Sequence, residues 1–209
     1  MTDDQIKSLR DDITYMKALA DEGSRGPLLG GSILVAAGLI FGAGSLAEWA
    51  LQAGVLAGRG GVAHLYVWGG TGVLFTIALI TLIQRQKGRP GHMSPSNRAF
   101  ANAWMGVGLA IFAMSTALSV LMFKTGSDLP AAVFPSLIFA LYGSGWAVSA
   151  AMSGQKWLWW PAIGGWVAAP VLAWFVGDPT MWLVYAAGLI LLALVPGAIL
   201  MRGEPSDVV

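Results

Sequence analysis

Apolar runs of about twenty residues return along this chain with only short polar joins between them, and a helix of that length crosses a hydrocarbon core roughly 30 Å thick. Six runs can be read: Leu28–Leu51, Val62–Ile83, Ala99–Phe123, Ala131–Ser153, Trp157–Val176 and Met181–Met201. Charged residues make up 11 % of the chain, against about 25 % in ordinary soluble domains. Strict alternation in ten-residue units, the mark of an outer-membrane barrel, is absent. The expected fold class is all-α: a polytopic membrane protein, a six-transmembrane-helix bundle with a short cytosolic amphipathic N-terminal helix. Residues 1–27 form the cytosolic helix and its hinge, 28–202 the membrane domain, and 203–209 a short cytosolic tail.

Charge orients the bundle. The longest polar join, Gln84–Arg98, carries Arg85, Lys87, Arg89 and Arg98, and short cationic loops stay on the cytosolic side. With the N-terminus inside, ten Lys and Arg residues fall on the cytosolic side and two, Arg59 and Lys124, on the other. A multi-pass protein of the inner (plasma) membrane follows, with both termini cytosolic. Arg85, Lys87 and Arg89 are expected to meet anionic lipid head groups; nucleic acid is not an expected partner.

The N-terminal segment differs from the rest. Ile6, Leu9, Ile13 and Met16 recur at helical spacing and share one face, while Gly23, Gly26 and Pro27 end the helix. The segment has neither a basic n-region nor a small-residue cleavage site, so no cleavable signal peptide is expected. Residues 1–22 carry a side-chain charge of −3, and a helix lying on an anionic leaflet needs the opposite sign. A protein surface should therefore cover the stripe: the chain's own basic loop, a partner protein or a second copy.

Enzymatic chemistry finds little to work with. Cysteine is absent, so is HExxH, and no pair of buried aspartates exists. Gly143-Ser144-Gly145 could form a nucleophile turn, but both histidines, His64 and His92, precede it. No catalytic residue, cofactor or metal is expected. Glu48 is the one carboxylate within an apolar run, His64 opens the next run at the same level, and Arg59 lies between them. Ionisable groups at membrane depth are costly and usually paired. A Glu48–His64 or Glu48–Arg59 pair is expected, able to relay a proton or to staple the hairpin; two such groups are too few for a specific metal site.

Seven of the ten tryptophans follow residue 140. Trp157, Trp159 and Trp160 suit one interfacial belt, and Trp174 and Trp182 the other. Trp146 and Trp166 fit neither; with Trp104 and Tyr142 they are expected to line an apolar pocket or to fill a core. Gly38, Gly42 and Gly44 make a small-residue face for close helix approach, and Pro135, Pro170 and Pro196 should kink the last three runs. The expected function is a non-enzymatic accessory or regulatory membrane protein that docks a protein partner through its N-terminal helix and senses a hydrophobic ligand. The rival is a small transporter or channel built on the kinked fourth to sixth runs.

Overall fold

In lipid the backbone must satisfy its own hydrogen bonds, which leaves long apolar runs little choice but helix. The computed structural model describes residues 3–24, 28–56, 62–87 and 94–204, with backbone alone at 3, 4, 8 and 17–24. The elements are α1 Asp3–Ser24, α2 Gly31–Gln52, α3 Val62–Gln86, α4 Pro95–Thr125, α5 Leu129–Ser153, α6 Trp159–Trp174, α7 Thr180–Leu189 and α8 Val195–Gly203. A 3-10 turn, Lys156–Leu158, precedes α6, and a π turn, Ile190–Leu194, joins α7 to α8 into one helical segment. No strand occurs among the described residues.

Five of these helical segments are long and apolar enough to cross a membrane: α2, α3, α4, α5 and the Thr180–Gly203 segment. The expected run Trp157–Val176 departs from the other five. Its α-helical part, α6, has 16 residues, about 24 Å at 1.5 Å per residue. Gly154 and Gln155 keep the approach non-helical, and the 3-10 turn uses up the first residues of the run.

The basic join is shorter than its composition suggests. Continuing past Ile83, α3 carries Arg85 in its last turn, where a cation suits the negative end of the helix dipole. Ser94 caps α4, its Oγ accepting the Asn97 N–H at 3.2 Å, and Pro95 occupies the first helical position. At the far end of α4, Gly126 adopts φ 65°, the left-handed conformation that ends a helix cheaply with glycine. In the α6–α7 corner, Asp178 Oδ1 accepts the Thr180 N–H at 2.7 Å, and hydrogen bonds from Thr180 hold this exposed carboxyl below its usual range.

Two helices organise the packing. One side of α2 meets α3, the other meets α7, the π turn and α8; α5 packs between α4 and α6. One apolar cluster, around Phe139, Tyr142, Leu172, Tyr185, Leu189 and Leu192, joins α5, α6 and the last segment. A second, around Leu28, Phe100, Trp146, Leu158, Ala162 and Leu200, closes the end at which α2 begins. Against this, α3 and α4 are one-sided: their most apolar stretches are 6 % and 0 % buried within the chain.

The expected glycine face divides. A Cβ on Gly38 would stand 2.7 Å from Leu194 Cβ and 2.8 Å from Leu194 N, so here α2 approaches the last segment backbone to backbone. A Cβ on Gly44 would meet Thr71 Oγ1 of α3 at 2.6 Å, whereas one on Gly42 would meet nothing within 4 Å.

Candidate functional site

Glu48 and Gln52 are four residues apart near the end of α2, and His64 and Trp68 are four apart at the start of α3. Residues four apart share a helix face, so the α2–α3 hairpin sets two such pairs against each other. The result is a cluster around one carboxylate. Glu48 Oε1 lies 2.6 Å from His64 Nδ1 and accepts from Gln52 Nε2 at 2.8 Å; Oε2 accepts from Trp68 Nε1 at 3.1 Å. Glu48 is buried, its side chain 4 % exposed, while the His64 side chain is 42 % exposed. Arg59, the other expected partner, lies outside the described residues.

Three hydrogen-bond partners on the buried Glu48 carboxyl group offset much of what its removal from water costs. Glu48 is buried, and the cluster meets its surroundings through the exposed Gln52 side chain and the half-exposed His64 imidazole. Chemically, the arrangement can hold the hairpin closed and pass a proton between the surface and Glu48. Among the described residues no three His, Cys, Asp or Glu side chains gather as metal ligands. Sequence reading singled out Glu48 and His64 but not Gln52 or Trp68, although their i+4 spacing from the first two was the signal. Trp182, assigned from sequence to an interfacial belt, is instead 8 % exposed and packs on Trp68 with ring centroids 5.2 Å apart.

The four residues expected to line an apolar pocket are split by the structure. Trp104 sits edge-on to Tyr142 at 5.3 Å and to Trp146 at 5.0 Å, so these rings fill the space between α4 and α5. Trp166 remains 43 % exposed on α6 and covers Gly143, where a Cβ would meet its ring at 2.5 Å. Gly143-Ser144-Gly145 thus serves packing, and the Ser144 hydroxyl donates to the Ala140 carbonyl within α5. A shallow groove does exist, on the outward face of α3 along Trp68, Gly69, Gly72, Val73, Thr76 and Ile77, away from this ring cluster.

Trp146 has a further role that sequence reading missed. Proline has no N–H, so Pro196 cannot donate to the carbonyl four residues before it. That carbonyl belongs to Leu192, in the π turn, and the buried indole Nε1 of Trp146 donates to it at 2.8 Å.

At the opposite end of α2 from Glu48, the first turn is capped by distant parts of the chain. Leu29 N donates to Asn97 Oδ1 at 2.7 Å, and Gly30 N and Gly31 N donate to Glu204 Oε1 at 3.3 and 3.1 Å. Gln86 Nε2 reaches Ser32 Oγ at 3.2 Å. Helix starts leave N–H groups without partners and favour negative charge; Glu204 answers both needs from more than 170 residues away. Nothing in local spacing announces such a contact.

Among the described residues, nothing buries the stripe on α1. Ile6, Leu9, Ile13 and Met16 are 48, 50, 61 and 60 % exposed. Where α1 touches the bundle, it touches α4. Arg85 and Lys87 are exposed at the end of α3, and Arg89 lies outside the described residues. Compared with known protein families, curated proteins and solved structures, the chain matches none.

Proposed function

We propose that this chain is a non-enzymatic accessory protein of the inner membrane that docks a protein partner through α1. The observation that carries the reading is the open stripe on α1: four large apolar side chains, each about half exposed or more, on an element of net negative charge. Neither water nor an anionic leaflet suits that surface, and a protein does. In this reading the 3-10 turn, α6 and Phe175–Val176 cross as the fifth of six spans, roughly 30 Å of helical rise in all. Both termini and the Arg85–Lys87 end of α3 then lie in the cytosol, with anionic lipid at those two cations. A hydrophobic ligand would enter beside Trp166, the most exposed of the four rings. The rival reading, transport through the last three spans, would need a polar path, and the side chains packed there are Phe139, Tyr142, Trp146, Leu172 and Leu192.

The test is the doublet Leu9→Asp with Ile13→Asp, made in the full chain and purified in mild detergent. Both positions are exposed, so the bundle should melt as wild type does, while proteins cross-linked to α1 should be lost. Unchanged cross-linking together with unchanged protease sensitivity of residues 1–24 would end the docking reading.

A further inference from the structure

Resting on that docking reading, we infer that the partner of α1 is a second copy of the same chain, joined to it as a short parallel coiled coil. In a heptad register with Ile6 and Ile13 at position a, Leu9 and Met16 fall at d and Ala20 at the next a. β-branched residues at a, with Leu or another residue not branched at Cβ at d, are the pattern that favours two parallel strands. The flanking positions select the same arrangement. Position g is Gln5, Asp12 and Leu19, and position e is Asp3, Arg10 and Lys17. In a parallel pair, g of one helix faces the following e of the other, which sets Asp12 against Lys17 and Gln5 against Arg10, twice over by symmetry. An antiparallel pair would face e with e and g with g, setting Arg10 against Arg10 and Asp12 against Asp12, with Lys17 against Asp3 as its one kind of attractive contact. Charge therefore favours the parallel form, in which no like charges meet at these positions.

Among the described residues, nothing buries the apolar positions of this seam. From Ile6 to Met16, every residue whose side chain is described is exposed, Arg10 and Asp12 among them. Two copies in one bilayer share an orientation, so a two-fold axis along the membrane normal makes upright α1 helices parallel. Fewer than three heptads form a weak coiled coil in solution, but tethering to spans in one membrane raises the effective concentration of the second strand.

The experiment is disulfide trapping in native membranes, on a background that contains no cysteine. Leu9→Cys and Met16→Cys, at d, should each yield a species of twice the 21.9 kDa chain mass, and Asp11→Cys, on the outer f position, should yield at least several-fold less. Two differently tagged copies, one Leu9→Cys and one Met16→Cys, should not cross-link to each other. Asp12→Lys should lower trapping at position 9 several-fold, and adding Lys17→Asp should restore it. Trapping between position 9 of one copy and position 16 of the other, equal trapping at position 11, or no doubled species would overturn the second copy as partner. If the doubled species is absent while Leu9→Asp with Ile13→Asp still strips other cross-linked proteins from α1, docking stands and only the identity of the partner falls.

Discussion

The indole of Trp146 matters here for a single N–H as much as for its bulk. Pro196 leaves the Leu192 carbonyl short of a donor and Trp146 supplies one at 2.8 Å, so Trp146→Phe should keep most of the packing and lose that bond. An unsatisfied buried acceptor costs about 1–3 kcal/mol, which reversible unfolding in mixed micelles can measure. The assignment has an internal control. Pro196→Ala restores a backbone N–H to that carbonyl, so in the Pro196→Ala background the cost of Trp146→Phe should shrink. An unchanged cost in the double-mutant cycle would mean that packing carries the whole effect. At Glu48, the same reasoning applies to a charged acceptor. His64→Ala removes one of three hydrogen-bond partners from the buried Glu48 carboxyl group, and a hydrogen bond to a charged group contributes about 1.5–3 kcal/mol. The variant should unfold earlier by that amount, whereas Tyr66→Ala, on an exposed position of the same helix, should change stability by under about 0.5 kcal/mol.

Whole helices meet through glycine where their backbones come close, and the three glycines of α2 make different demands. Gly38 faces the backbone of Leu194, which cannot move aside as a flexible side chain would. Gly38→Ala should therefore force α2 away from the last segment, at about 1–3 kcal/mol for overpacking. Gly42 faces open space, and Gly42→Ala should be neutral or stabilise by up to about 1 kcal/mol through helix propensity. Thermal unfolding of the two variants, side by side, checks the contact map of α2; equal effects would contradict it. The element most unlike its expectation is α6, whose α-helical part is too short to span the core by itself. Its packing against α5, with Gly165 set close to the Phe139 carbonyl and to Gly143, explains how a short, proline-containing helix is held in place.

Across the whole molecule, the packing is uneven. The core gathers around α2, α5 and the last segment, while α3 leans mainly on α2 and α4 mainly on α5, and both turn most of their surface outward. Orientation is a property of this scale as well, and the ten-to-two division of Lys and Arg predicts it. In intact cells, Ser94→Cys should react with membrane-permeant thiol reagents alone, and Ser127→Cys, in the turn between α4 and α5, should react with an impermeant one. Labelling of Ser94→Cys from outside would invert the topology and with it the cytosolic placement of α1.

Length, apolarity and scarcity of charge were enough to determine a helical membrane protein and, within a few residues, the limits of most of its helices. The pairing of Glu48 with His64 was also legible, because a carboxylate at that depth needs a partner and the hairpin leaves few candidates. Facing was not legible. In a soluble helix, the apolar stripe marks the buried side, but lipid is as apolar as a protein core, so periodicity no longer separates inside from outside. For that reason Trp182 reads as an interfacial residue and is buried against Trp68, while Gly38 and Gly42, alike in sequence, have opposite surroundings. The bonds from Trp146 to Leu192 and from the start of α2 to Asn97 and Glu204 join residues between 46 and 174 positions apart. Such contacts exist because a donor or acceptor is stranded at a proline or a helix start, and only the tertiary structure decides which distant side chain arrives to meet it.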